Sequence, residues 1–213
     1  MVAPLIKICG INTPDALDAA IAAQADFIGL VFFARSPRHV EFDQAAALAA
    51  RAAGRVNVVG LFVDPTPEYL AQAVATVRLD TLQLHGRETP EHVAALGLRH
   101  GLPVWKALGV TKRDDVAAAD RFAGAAARVL FDAKPPEGAD LPGGNGLRID
   151  WAVLKAIRPA LPWMLAGGLD PANVAQALAI TGAPAVDVSS GVESAPGVKD
   201  ATRIAAFCAA VRG

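Results

Sequence analysis

Short apolar runs alternate with alanine-rich, helically spaced segments along the whole chain. The apolar runs are Leu5 to Cys9, Phe27 to Phe32, Val56 to Val63, Thr81 to Leu84, Val104 to Leu108, Arg128 to Asp132, Trp163 to Ala166 and Ala185 to Val188. No two of them are joined by a tight hairpin turn, so the pattern predicts eight parallel strands linked by helices. Helical spacing covers Asp15 to Ala23, Asp43 to Ala53, Pro67 to Val77, Pro90 to Leu96 and Pro171 to Ile180. Thr13-Pro14, Thr66-Pro67, Thr89-Pro90 and Asp170-Pro171 each place a capping oxygen before a proline, which has no N–H to lose in a first helical turn. Each pair predicts a helix start.

Repeated strand-helix units without a linker or low-complexity break predict an α/β protein, a single-domain (β/α)8 TIM barrel over residues 1–213. An open doubly wound sheet ranks second, because no Gly-x-Gly-x-x-Gly turn follows the first run and the repeat continues evenly to the end. A barrel carries its functional groups at the C-terminal ends of its strands. That rule singles out Cys9, Arg38 in the loop after strand two, Gln83 and His85 after strand four, Asp132 after strand six, Gly167 and Gly168 after strand seven, and Asp187 with Ser189 to Gly191 after strand eight.

Composition sets the outer limits. The 213 residues are 53% hydrophobic and 19% charged, as expected of a globular enzyme and not of a disordered chain. A net charge of -1 supplies no basic excess for a nucleic acid or an acidic membrane surface, so neither is an expected partner. The N-terminus lacks a basic segment followed by a longer apolar one, and no apolar run reaches the ~18 residues of a membrane span. A cytoplasmic location is expected. There a reducing compartment keeps Cys9 and Cys208 as thiols.

Side chains alternate across a strand, so Leu5, Lys7 and Cys9 share one face, which brings a cation beside a thiol. A free cysteine is more often a small core hydrophobe than a reactive group. Gly167-Gly168 and Ser189-Ser190-Gly191 are small-residue turns after adjacent strands, where backbone N–H groups converge on an anion. Two such turns at strands seven and eight point to a small phosphorylated substrate. Asp132 ends an apolar run; it either caps the following loop or, partly desolvated, holds a proton to donate. In a closed barrel Cys9 and Asp132 flank a ligand from two sides, one taking a proton while the other gives one.

Taken together, these residues resemble the phosphoribosylanthranilate isomerases of tryptophan biosynthesis. The marks are Lys7-Ile8-Cys9-Gly10, Ser36-Pro37-Arg38, Gln83-Leu84-His85-Gly86, Asp132-Ala133-Lys134 with Gly143-Gly144-Asn145-Gly146, Ala166-Gly167-Gly168-Leu169, and Asp187-Val188-Ser189-Ser190-Gly191-Val192-Glu193. They span nearly the whole chain. The resemblance implies an Amadori rearrangement of N-(5-phosphoribosyl)anthranilate to a carboxyphenylamino-deoxyribulose phosphate, with no metal and no organic cofactor. It further implies that Cys9 is the general base, Asp132 the general acid and Arg38 the partner of the anthranilate carboxylate. Gln83 and His85 share a strand face and are expected to line the pocket and help bind the substrate, and the resemblance implies that Asp187 orients sugar hydroxyls. Lys7 is expected to raise the thiolate fraction of Cys9. A monomer or homodimer is the expected assembly.

Blander readings stand beside these. Arg38 suits a solvated loop charge, His85 a satisfied structural histidine, Asp187 an internal hydrogen bond, and Cys208 packing in the final helix. Asn145 replaces an expected small hydroxyl residue, and the loop from Pro135 to Pro142 is long. The rival functions are a Schiff-base aldolase using Lys106 or Lys134 and a barrel that binds phosphosugars without turnover.

Overall fold

Eight parallel strands close into a barrel in chain order: β1 (Leu5–Cys9), β2 (Phe27–Phe32), β3 (Asn57–Phe62), β4 (Thr81–Leu84), β5 (Val104–Val110), β6 (Arg128–Ala133), β7 (Trp163–Leu165) and β8 (Ala185–Val188). A computed structural model describes residues 3–134, 143 and 146–213. Among these residues the α-helices are α1 (Pro14–Ala22), α2 (Phe42–Ala52), α3 (Pro67–Thr76), α4 (Pro90–His100), α5 (Arg113–Ala117), α6 (Val174–Thr181) and α7 (Ala201–Arg212). Every expected strand is present, and β5 runs two residues further than its apolar run suggested.

Three of the four threonine- or aspartate-proline pairs start helices as expected. The hydroxyls of Thr13, Thr66 and Thr89 accept from the N–H groups of Ala16, Tyr69 and His92 at 3.2, 3.2 and 3.3 Å. Asp170-Pro171 does not. The side chain of Asn173 donates to the Gly168 carbonyl and to Asp170 Oδ2, at 2.9 and 2.8 Å, and accepts from the Asp170 N–H at 3.0 Å. That local turn uses the capping groups, and α6 begins only at Val174. A second departure is a hairpin outside the barrel, β9 (Glu193–Ala195) with β10 (Val198–Lys199), turning at Pro196-Gly197. Its strands are too short to show as apolar runs.

Strand alternation divides the barrel into two environments. Ile6, Ile8, Ile28, Leu30 and Phe32 face outward and pack with Leu17, Leu48 and Leu70 of the helical layer. Inside, Leu5, Phe27, Val59, Trp105, Leu130, Met164 and Ala185 form an apolar plug, with Phe27 edge-on to Trp105 at 4.9 Å. Fully burying one such aliphatic side chain contributes roughly 1.5–3 kcal/mol. Further up the inward faces come Lys7 in the middle of β1 and then Cys9, Gln83, Asp132 and Asp187 at or next to the last residues of their strands. Among the described residues no helix is long and apolar enough to cross a membrane.

Candidate active site

Lys7 and Cys9 do share the inward face of β1, and register places Lys7 opposite Asp187 on β8. The fully buried Lys7 ammonium donates to Asp187 Oδ1 at 2.8 Å. Burial disfavours that charge, but Asp187 and Cys9 outweigh it and hold the Lys7 pKa above its usual value. The thiol departs from expectation. Desolvation raises the Cys9 pKa and Asp187 adds to it; Lys7 and Lys199 pull the other way and lose. Lys7 is therefore the expected neighbour of the thiol, yet the net shift runs opposite to that expected from a cation alone. Gly29, across on β2, makes the arrangement possible: a Cβ there would lie 2.8 Å from the sulfur and 3.2 Å from Lys7 Nζ.

On the far side of the mouth, Asp132 is buried and accepts from the Ala133 N–H at 2.8 Å. Desolvation, reinforced by Asp187, pushes its pKa up to about 7 against the opposing effects of the Ala133 N–H and Lys7. Its Oδ2 lies 3.5 Å from His85 Nε2. Burial first, then Lys106 and Lys7, lower the His85 pKa to about 3, so this imidazole is neutral at pH 7 and adds no charge beside the carboxyl. Gly143 covers the pair, and any Cβ there would collide with His85 and Asp132. Gln83 is buried beside them, and its Oε1 has no hydrogen-bond partner among the described residues. A buried acceptor without a partner carries a desolvation cost that a donor would offset.

The two small-residue turns meet. Gly167 and Gly168 have φ of 82° and 63°, in the left-handed region. A Cβ on Gly168 would strike the Leu147 backbone, and one on Gly191 would strike the Leu169 backbone, so the turns after β7 and β8 abut. Ser189 donates through Oγ to the Cys9 carbonyl at 3.2 Å, and Lys199 Nζ donates to the Ser189 carbonyl at 3.0 Å. Gly167, Gly168, Ser189 and Ser190 all line the pocket that holds Cys9 and Asp132.

Arg38 is not a solvated loop charge. It is buried and lines the same pocket, its stem crossing Gly10, where a Cβ would lie 2.7 Å from Arg38 Cδ. Its Nε and Nη2 donate to Glu193 at 2.7 and 2.9 Å. Burial opposes the Glu193 charge, but Arg38 and Lys199 outweigh it and lower that carboxyl's pKa. Val31, Phe33, Leu61 and Val63 make an apolar wall beside Arg38, a surface suited to an aromatic ring.

The structure thus gathers Cys9, Arg38, Gln83, His85, Asp132, Asp187 and the turn residues Gly167, Gly168, Ser189 and Ser190 around one pocket; the expected Gly191 is not among its lining residues. Gly144, Asn145 and the segment from Pro135 to Pro142 lie outside the described residues. Lys106 and Lys134 do not line the pocket. Lys106 Nζ donates to the Gly86 and Ala107 carbonyls at 2.9 and 2.8 Å and sits 3.2 Å from Glu88 Oε2, while Lys134 is exposed. Neither is placed for Schiff-base chemistry. Cys208 packs in the core from α7, and both cysteines are free thiols. Among the described residues no group of three or more His, Cys, Asp or Glu side chains is placed to hold a metal ion. Sequence reasoning gave Gly29, Glu193 and Lys199 no role. An isolated glycine inside the apolar run Phe27 to Phe32 was a readable sign of close approach; a buried Lys199 had no such sign.

The sequence pattern of the family described as N-(5'phosphoribosyl)anthranilate (PRA) isomerase matches residues 6–210. An N-(5'-phosphoribosyl)anthranilate isomerase of Paramagnetospirillum magneticum is 58% identical over 208 residues, covering 98% of this chain and 97% of its own length. The crystal structure of phosphoribosyl anthranilate isomerase from Thermotoga maritima superposes with a TM-score of 0.88 at 33% identity, covering 99% of both chains. A crystal structure of such an isomerase in complex with reduced 1-(o-carboxyphenylamino)-1-deoxyribulose 5-phosphate gives a TM-score of 0.83 at 30% identity, again over 99% of both chains.

Proposed function

The chain belongs to the N-(5'-phosphoribosyl)anthranilate isomerase family and catalyses that family's aldose-to-ketose rearrangement; we propose that Cys9 and Asp132 are the base and acid that perform it. The observation that carries this assignment is a carboxyl group whose pKa burial has moved to about 7, lining one pocket with a thiol.

The reaction begins with a ring oxygen that must leave C1 of the ribose. Protonation makes it a hydroxyl, and Asp132, whose pKa burial has raised to about 7, supplies that proton. The electron pair of the aniline nitrogen forms a C1–N double bond as the C1–O bond breaks. The resulting iminium acidifies the proton on C2, and the Cys9 thiolate removes it to give an enol. Addition of a proton at C1 and loss of one from the C2 hydroxyl then leave the ketone, so product and substrate have the same atoms, and exchange with water returns the proton taken by Cys9 to Asp132. Asp187, held by Lys7, and the unpaired acceptor Gln83 Oε1 bind the sugar hydroxyls, and neutral His85 packs beside the acid. The N–H groups of Gly167, Gly168, Ser189, Ser190 and Gly191 cradle the 5-phosphate. Arg38 takes the benzoate, whose ring lies on the apolar wall.

We also propose that residues 1–213 act as one catalytic domain without a metal or organic cofactor, as a monomer or homodimer. A base that must stay reduced favours the cytoplasm. The direct test adds freshly prepared phosphoribosylanthranilate to the protein and to Cys9→Ala and follows the decay of substrate fluorescence. The wild-type chain should accelerate the decay and the variant should not; equal rates for the two would remove Cys9 from the mechanism.

A further inference from the structure

Glu193 has no part in the proton transfers, yet its buried carboxylate engages two cations beside the pocket. Oε1 accepts from Arg38 Nε at 2.7 Å and Lys199 Nζ at 2.6 Å; Oε2 accepts from Arg38 Nη2 at 2.9 Å and the Gly197 N–H at 3.2 Å. The backbone that carries it is fixed as well. Arg203 donates to the Glu193 carbonyl, Asn12 Nδ2 donates to the Gly197 carbonyl at 3.0 Å, and Lys199 is bonded to the Ser189 carbonyl. Gly197 itself abuts the Pro37 carbonyl, immediately before Arg38, so the small hairpin lies against the loop that carries the guanidinium.

A guanidinium offers donors along more than one edge, and a carboxylate held on its Nε/Nη2 edge fixes the plane of the whole group. We infer that Glu193 is a positioning residue: braced by Lys199 and the β9–β10 hairpin, it sets the Arg38 guanidinium in the plane from which it meets the carboxylate on the substrate's aromatic ring. The same hairpin, through Lys199 and Ser189, reaches the carbonyl of Cys9, so the carboxylate clamp and the base are both connected to one hairpin. This inference rests on the reading of Arg38 as the clamp, and the test separates the two.

The experiment is steady-state kinetics on Glu193→Asp and Glu193→Gln, each alone and combined with Arg38→Ala, with thermal unfolding of every variant. Aspartate keeps the charge beside Lys199 but retracts by one methylene from Arg38; glutamine keeps the length and loses the charge. Each should raise KM about tenfold, the scale of one charge-assisted hydrogen bond, with a smaller change in kcat. In the Arg38→Ala background neither should raise KM further, because the group they orient is gone. A general packing role would instead give effects that add to that of Arg38→Ala, and additivity overturns the inference. So does an unchanged KM in both single variants; if glutamine does not fold, the aspartate variant decides. Should Arg38→Ala itself leave KM unchanged, the clamp reading fails independently of Glu193.

Discussion

The lower and upper interior of the barrel are built on the same inward faces of the same strands, a few residues apart, and obey opposite rules. Below, Leu5, Val59, Leu130 and Met164 fill space with carbon and need no partner. Above, Lys7 is as fully buried as Met164, and only Asp187 and Cys9 keep it charged. Burial that contributes to stability in one layer raises the Asp132 pKa to about 7 in the other. The contrast teaches that one physical term, removal from water, serves both purposes: applied to hydrocarbon it holds the barrel closed, and applied to a carboxyl it makes an acid that works near neutrality.

The sharpest break between the layers should come from Cys9→Ala. A strand-end sulfur contributes little packing, so turnover should fall below detection while thermal unfolding stays near that of the wild type. The converse change is Met164→Ala in the plug. It should cost about 2–5 kcal/mol of unfolding free energy in denaturant titrations and leave kcat of the folded fraction nearly unchanged. A kcat loss comparable to that of Cys9→Ala would show that the layers are not separable.

A smaller effect links the layers through pH. The folded Asp132 pKa is raised from the ordinary 3.8 of an aspartate to about 7, so the native state holds this proton where the unfolded chain has released it. Stability from this group is complete below the unfolded pKa and is lost as pH rises towards the folded one. Asp132→Asn removes that loss, and its melting temperature relative to wild type should therefore climb between about pH 4 and 7 and level off above. A constant difference across that range would contradict the buried, proton-holding carboxyl.

The same shifts set the pH–rate profile. The productive pair is a protonated Asp132, with a pKa of about 7, and an ionised Cys9, whose pKa lies higher still. Below about pH 7 each unit of acid removes about tenfold of the thiolate without adding carboxylic acid, so kcat/KM falls. Between the two pKa values the gain in thiolate cancels the loss of acid, and kcat/KM is flat. A profile that declines from pH 7 upward would place the thiol pKa below that of Asp132.

Much of this was legible in the chain. The alternating runs gave the eight strands because a parallel strand covered by helices needs apolar residues on both faces, and Thr13, Thr66 and Thr89 announced helices through local chemistry alone. Cys9 and Asp132 stood out as polar ends of apolar runs. What stayed hidden depends on sums of distant terms. Lys7 beside Cys9 followed from strand alternation, but the sign of the thiol shift required weighing burial and Asp187 against two lysines. Asp170-Pro171 had the composition of a helix start, and Asn173 outcompeted it through three hydrogen bonds that no spacing rule anticipates. The anchoring of Arg38 by Glu193 joins residues 155 positions apart.

The measurement that bears most directly on the account is single-turnover conversion by Asp132→Asn at saturating substrate. Asparagine preserves shape and hydrogen bonding and lacks only the proton to donate. A folded, saturated variant should convert its bound substrate at least ~10²- to 10⁴-fold more slowly than wild type, the usual scale of general acid catalysis. Conversion at the wild-type rate would show that Asp132 is a structural carboxylate and that the ring oxygen receives its proton from elsewhere.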